Sequence, residues 1–308
     1  MAPGLPALKC DAGEPISRTN RPVSTSVITT LAFPSRTTLA EPLRDLDAWV
    51  AFIHGAEIPV LGQTADALEA LRANEDSVDA NSIGEMISSD PLMTLKVLAY
   101  AATHRPSRVV TDTETVTSSL VLMGISPFFA AFGPQPTVEE WLIGQPAALA
   151  GFDESLRRAH RGGNFALAFA VHRMDPDAAA IHAAALLHDF ADMLLWCHAP
   201  ALALRLRALH LAEPTLRFRE AQRSVLNVEL APLHQALMKA WRLPELLIRM
   251  VDDRHADQPN AKCVKLALRL ARHTAQGWDD PAIAHDVGDI ATLLNLSPAA
   301  TLQLVQAI

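Results

Sequence analysis

Among the residues of this chain able to do chemistry, His160 and the adjacent pair His188-Asp189 stand in a suggestive order. Leu156, His160, Gly163, Leu167, Ala170 and Met174 recur at helical spacing, and so do Ile181, Ala184, Ala185, His188 and Leu195. Two antiparallel helices joined at Asp175-Pro176 would bring the two stripes together, with His160 facing His188. Neutral imidazole and carboxylate are good ligands for a first-row divalent metal. The same spacing also fits two core histidines satisfied by Asp189 and backbone carbonyls, because an imidazole buried unpaired costs roughly 1–3 kcal/mol.

A second cluster, Asp252, Asp253, His255 and Asp257, follows a helix expected over Trp241 to Met250. Closely spaced acids and a histidine suit a hard cation, and they equally suit a solvated helix end. Other chemistries find little support. The chain has no P-loop, no GxGxxG and no GxSxG elbow. Cys197-His198 are sequence neighbours, not a nucleophile with an oriented base. Gly162-Gly163 inside a helical pattern points to close helix packing, and Phe128, Phe129, Phe132 and the five Trp read as core.

The elements that must position these residues are helices. With 308 residues, 50% hydrophobic and 19% charged, the chain supports one large or two ordinary domains with a sizeable core. That composition excludes pervasive disorder, a collagen-like chain and a disulfide scaffold. From about Leu43 onward Ala and Leu recur at three- and four-residue spacing, which gives an all-α reading. Val27 to Thr30 and Val109-Val110 are the only strand-like fragments. Asp90-Pro91 reads as an N-cap with proline at the first helical position, Thr113 or Thr115 opens the next helix, and Gly124 stops it. Long helices are expected over roughly Asp153 to Arg173 and Asp177 to Cys197, with a seam in Gly133 to Gly151.

Pro, Ser, Thr and Arg dominate Pro15 to Pro42, so residues 1–44 are expected to form a flexible tail. Cys10, Cys197 and Cys263 lie far apart without CxxC spacing, which suits a reduced, cytoplasmic protein and not a zinc ribbon. A net charge of −8 disfavours nonspecific nucleic-acid binding. The longest apolar stretch read from the sequence, Leu120 to Phe132, is too short to span a bilayer, and no signal peptide is expected.

Several segments together resemble a known family. Ile58-Pro59-Val60-Leu61 is followed by Ile83, Met86-Ile87, Ser89-Asp90-Pro91-Leu92-Met93-Thr94, Lys96-Val97-Leu98 and Leu120-Val121-Leu122-Met123-Gly124. This resembles the opening of the HDOD domain, a bacterial signalling module related to the HD phosphohydrolases. Ala185-Leu186-Leu187-His188-Asp189 is similar to that superfamily's HD motif, and Trp241-Arg242-Leu243-Pro244 resembles a further family landmark.

The resemblance implies an HD-like helical bundle in two lobes, residues 45–140 and 150–308 of an HDOD domain spanning 45–308. For the HD superfamily it implies a metal site in the order His, His-Asp, Asp. His160 matches the first position, and His188-Asp189 match the central pair. Leu268 stands where the closing aspartate is expected, Arg254 precedes His255 in place of a histidine pair, and Ala102-Thr103 replace an Asn-Ser pair. A site lacking one carboxylate, with a cationic Arg254 nearby, should hold a metal weakly. The expectation is therefore a noncatalytic signalling protein with no cofactor. It would bind a partner protein or small ligand through a degenerate pocket of His160, His188, Asp189, Arg254 and His255, away from membrane and nucleic acid. The alternative is a metal-dependent phosphohydrolase acting on a nucleotide or cyclic dinucleotide, with Mn, Fe, Zn or Ni held by His160, His188 and Asp189.

Overall fold

The computed structural model describes residues 38–104 and 113–308. Val27 to Thr30, Val109-Val110, Cys10 and most of the expected tail lie outside the described residues. Residues 38–44, expected in the tail, are anchored to the body. The Leu39 N–H donates to the His198 carbonyl (2.8 Å), and Leu39 and Leu43 pack against the core. Two apolar side chains and a backbone bond outweigh the polar character of that stretch.

Helices build nearly everything described. The first, α1 (Leu46–Gly55), is capped by the Asp45 carboxylate and buries Trp49 and Ile53. There follow α2 (Gly62–Arg72), α3 (Ala80–Ile87), α4 (Pro91–Thr103), α5 (Val116–Met123), α6 (Ile125–Ala131) and the short α7 (Val138–Trp141). Among the described residues the one strand-like pairing is a parallel bridge between Val60 and Thr137.

Asp90 accounts for the start of α4. Its Oδ1 accepts from the N–H groups of Leu92 (2.9 Å) and Met93 (3.0 Å), while Oδ2 accepts from Leu61 N–H (2.8 Å). Pro91 fills the first helical position, where no N–H is needed. Burial lifts the Asp90 carboxyl above its usual range against these bonds. The Asp-Pro motif thus staples α4 to the extended Ile58–Leu61 segment.

Two apolar clusters result. The smaller gathers Val60, Leu68, Ile83, Ile87 and Leu120 around Phe128, Phe129 and Phe132, so the three phenylalanines are core. The larger takes in Trp49 and Ile53 of α1 and the helices that follow α7. Helix α4 belongs to both, giving Met93 and Val97 to one and Leu92, Leu95 and Leu98 to the other. The Gly133 to Gly151 stretch, where a seam is expected, is itself well packed. Thr137 and Glu140 form a capping box, Val138 and Trp141 are buried, and Trp141 Nε1 donates to the Cys197 carbonyl (3.1 Å).

The second part comprises α8 (Pro146–His172), α9 (Ala178–Leu186), α10 (Phe190–His198), α11 (Pro200–Ala212), α12 (Phe218–Leu226), α13 (Leu230–Ala240), α14 (Glu245–Met250), α15 (Pro259–His273), α16 (Ala282–Leu294) and α17 (Pro298–Gln306). Central α8 packs on α9, α10, α11 and α15. Its core face carries Ala159, Gly162, Ala166 and Phe169, and the stripe expected from the sequence is only partly inward: Gly163 and Ala170 are buried, whereas Leu167 and Met174 are exposed. A Cβ on Gly162 would lie 2.9 Å from Leu268 Cδ2, which bears out the close-packing reading of that glycine. Met174 adopts the left-handed conformation (φ 51°) and Asp175 N–H reaches Ala170 O (2.9 Å), closing the helix before Pro176.

The helix expected over Asp177 to Cys197 is broken by a 3₁₀ turn, Leu187–Asp189, which is the HD pair itself. Ala178–His198 is long and apolar enough to cross a membrane, but 67% of that window is buried inside the fold. Among the described residues it is the one helix that passes that test of length and composition, and its hydrophobicity serves the core.

Candidate functional site

The HD pair sits where two helices meet end to end. Asp189 occupies the N-cap position of α10, yet its side chain makes no capping bond. It turns instead to Arg158 of α8 and to its neighbour. Arg158 Nε donates to Asp189 Oδ2 (2.6 Å), and His188 Nδ1 donates to Asp189 Oδ1 (2.9 Å). Arg158 also reaches Asp192 Oδ2 (3.1 Å), one turn further along α10, and Ser155 Oγ donates to the same oxygen. One guanidinium therefore bridges two carboxylates, a geometry suited to its planar fork.

Electrostatics follow the geometry. Burial alone would raise the Asp189 carboxyl, but Arg158 and His188 overcome it and hold the group well below the usual carboxylate range. Asp192 moves the other way, raised by burial and by the neighbouring Asp189 against the pull of Arg158. The 3₁₀ turn is held from behind by His234 of α13, whose Nε2 donates to the Leu187 carbonyl (3.1 Å). Burial, with His188 adding to it, pushes the His234 imidazole down to about 3, so it is neutral at physiological pH.

The Trp241-Arg242-Leu243-Pro244 landmark braces the same region. It is a turn and not the start of a helix: Arg242 is left-handed (φ 54°), Leu243 N–H returns to Met238 O (2.9 Å), and α14 begins only at Glu245. Trp241 meets Phe190 edge to face at 5.8 Å, and Phe190 also packs on His234 at 4.4 Å. The motif places an aromatic buttress behind the HD turn.

The remaining expected site residues go elsewhere. His160 does not face His188. Two residues apart on a helix, side chains point about 200° apart, so once Arg158 faces Asp189 His160 must point away. His160 Nε2 donates to the Ser89 carbonyl (2.6 Å), and His160 adds to burial in lowering the imidazole of His182. Arg254 forks onto Asp252, with Nε–Oδ2 at 2.9 Å and a terminal nitrogen at 2.6 Å from the same oxygen. His255 stands 3.7 Å from that carboxylate. The Arg254 hydrogen bond holds Asp252 down to about 2. Neither Arg254 nor His255 forms a hydrogen bond or ion pair with His188 or Asp189. Within the Asp252–Asp257 cluster Arg254 thus takes up the Asp252 carboxylate.

A divalent metal does not fit the residues present. Both Asp189 oxygens are taken, His160 is turned away, and Leu268 is buried against Gly162. Among the described residues no three His, Cys, Asp or Glu side chains converge as a metal-binding group. Cys197 and Cys263 are buried free thiols, raised by burial and away from nucleophilic use, Cys263 to about 12.

Sequence reasoning missed Arg158, Asp192, Ser155 and His234. Asp192 was accessible, since it lies three residues after Asp189 and shares its helical face. Arg158 was hidden behind the expectation that His160 marks the inward face of α8.

Two solved structures have a similar fold. The MmoQ response regulator from Methylococcus capsulatus is 18% identical, with a TM-score of 0.59 over 81% of this chain and 98% of that one. A virulence factor from Campylobacter jejuni is 16% identical, with a TM-score of 0.62 over 84% of this chain and 97% of that one. At these identities the likeness is one of fold. No curated protein matches the chain. The HDOD domain family matches residues 58–257, and that span holds the Asp-Pro staple, the HD turn and its tryptophan buttress. The chain belongs to the HDOD domain family.

Proposed function

We propose that this chain is a noncatalytic regulatory HDOD protein of the cytoplasm, acting by binding a signalling partner or small ligand and not by hydrolysis. The observation that carries the reading is Arg158, whose guanidinium occupies the Asp189 carboxylate at 2.6 Å and extends to Asp192 at 3.1 Å. A cation built into the chain takes the place that a metal ion would need. Leu268 at the closing position supports the same view. Membership of the HDOD family and the response-regulator name of a structural neighbour support a signalling role.

The test is a hydrolysis screen with bis(p-nitrophenyl) phosphate and a cyclic dinucleotide, with Mn²⁺ added, beside metal analysis of the loaded protein. The expected result is no turnover and no retained stoichiometric metal. Turnover that disappears in Asp189→Asn would overturn the proposal.

A further inference from the structure

The arginine beside the bridging one behaves differently. Arg158, Arg207 and Arg269 each lie within ion-pair distance of a carboxylate. Arg157 and Arg161, on the same helix α8, have no such partner among the described residues, although the chain carries 34 acids against 26 Lys and Arg. They are four residues apart and so stack on one face, where like charges repel. Asn164, a further turn along, is exposed on that face.

Arg161 is half-buried and held in place. Its guanidinium carbon lies 5.7 Å from the Phe165 ring and 5.7 Å from the Trp278 ring, the latter in the loop between α15 and α16. Its Nε is buried without any hydrogen-bond partner. Aromatic contact explains how the side chain is fixed, not why its donors are left open. Nearby acids do not close the gap. Asp153 precedes Arg157 by one turn without pairing to it, Glu154 is engaged by Arg207, and Asp280 accepts from Ala282 N–H at the start of α16.

We propose that Arg157 and Arg161 form a binding site for the phosphate group of a small phosphorylated molecule. A pre-fixed guanidinium with open donors is matched to a phosphate oxygen pair, and Arg157 adds a second charge to balance a dianion. Arg158, and not Arg157 or Arg161, is the arginine bonded to Asp189, so the site uses no residue of the HD turn and stands whether or not that turn is catalytic.

The experiment is titration calorimetry of the full chain with pyrophosphate and with AMP at low salt, alongside Arg157→Gln, Arg161→Gln and the exposed control Arg249→Gln. Saturable binding is expected, about tenfold weaker in each of the first two variants and unchanged in the control, and falling as salt rises. Arg161→Lys should fail to restore it, since an ammonium lacks the fork. Binding should also change tryptophan fluorescence, and Trp278→Phe should remove that signal. Far-UV circular dichroism checks that each variant is folded. Absence of saturable binding of both probes, binding as tight as the parent's by a variant carrying both Arg157→Gln and Arg161→Gln, or binding only to phosphatidic acid vesicles would each overturn the proposal.

Discussion

Replacing Arg158 with methionine keeps the stem that packs along α8 and removes the charge between two carboxylates. The side chains of Arg158, Asp189 and Asp192 are 30%, 14% and 20% exposed, so the network is mostly withdrawn from water. Removing one partner of a buried ion pair costs about 3–5 kcal/mol, because the other charge stays behind unpaired. Partial exposure of the guanidinium brings the expectation to about 2–3 kcal/mol. At about 2–4 °C per kcal/mol for a chain of this size, the melting temperature should fall by about 5–10 °C. The sign of the pH dependence is fixed. The folded pKa of Asp189 lies below its unfolded value, so its stabilisation is present above the unfolded carboxylate range near pH 4 and is lost as pH falls below it. Without Arg158 burial pushes both carboxyls upward, so the defect should be largest near pH 7 and shrink toward about pH 4.5. Urea unfolding followed by circular dichroism at both pH values measures this, and Asp189→Asn with Asp192→Asn should restore much of the loss. A variant within about 0.5 kcal/mol of the parent at pH 7, or a defect that ignores pH, would refute the reasoning.

Three further outcomes are expected. Gly151→Ala would place a Cβ 2.4 Å from the Trp196 ring, and a rigid indole cannot yield as a leucine tip does. It should destabilise by about 1–3 kcal/mol in a urea titration despite the better helix propensity of alanine. Asp90→Ala leaves three backbone N–H groups without acceptors, and a loss of about 2–4 kcal/mol should appear as fast hydrogen exchange at Leu61, Leu92 and Met93. Burial holds His234 at about 3 and His198 at about 4, below the unfolded value near 6.5. The unfolded chain therefore binds more protons across that window, and stability should be full above about pH 6.5 and decline as pH falls toward 4. His234→Gln, which can still donate to Leu187 O, should flatten that decline in acid titrations.

Much of the fold was legible because it rests on local signals. Asp90-Pro91, Thr115 and Gly124 mark helix ends with side chains and conformations that act within one turn. The family motifs were legible too, yet their physical roles were not. Trp241 to Pro244 reads as helix in sequence because no glycine announces the left-handed Arg242. The candidate site failed at one step of rotation. Periodicity placed His160 on an apolar face, but α8 is long and amphipathic on more than one side, and Leu167 and Met174 of that stripe face solvent. Which stripe turns inward is decided by Gly162 against Leu268 and by Arg158 against Asp189, contacts made by residues far apart in the chain.

The bridge between Val60 and Thr137 has a consequence for evolution and handling alike. Val60 N–H bonds Pro136 O at 2.9 Å and Val138 N–H bonds Val60 O at 2.8 Å, so the chain enters and leaves the smaller cluster at one point. Helix α1 lies before that point and packs with the helices that come after it. The described residues between 60 and 137 are thus nested within the larger core like a cassette with adjoining ends. Such a cassette can be exchanged between relatives, or open on its own, without rerouting the flanking chain. The limit on its independence is α4, a shared wall with one face in each cluster, and a swap that omits the matching Leu92, Leu95 and Leu98 would leave the outer core breached.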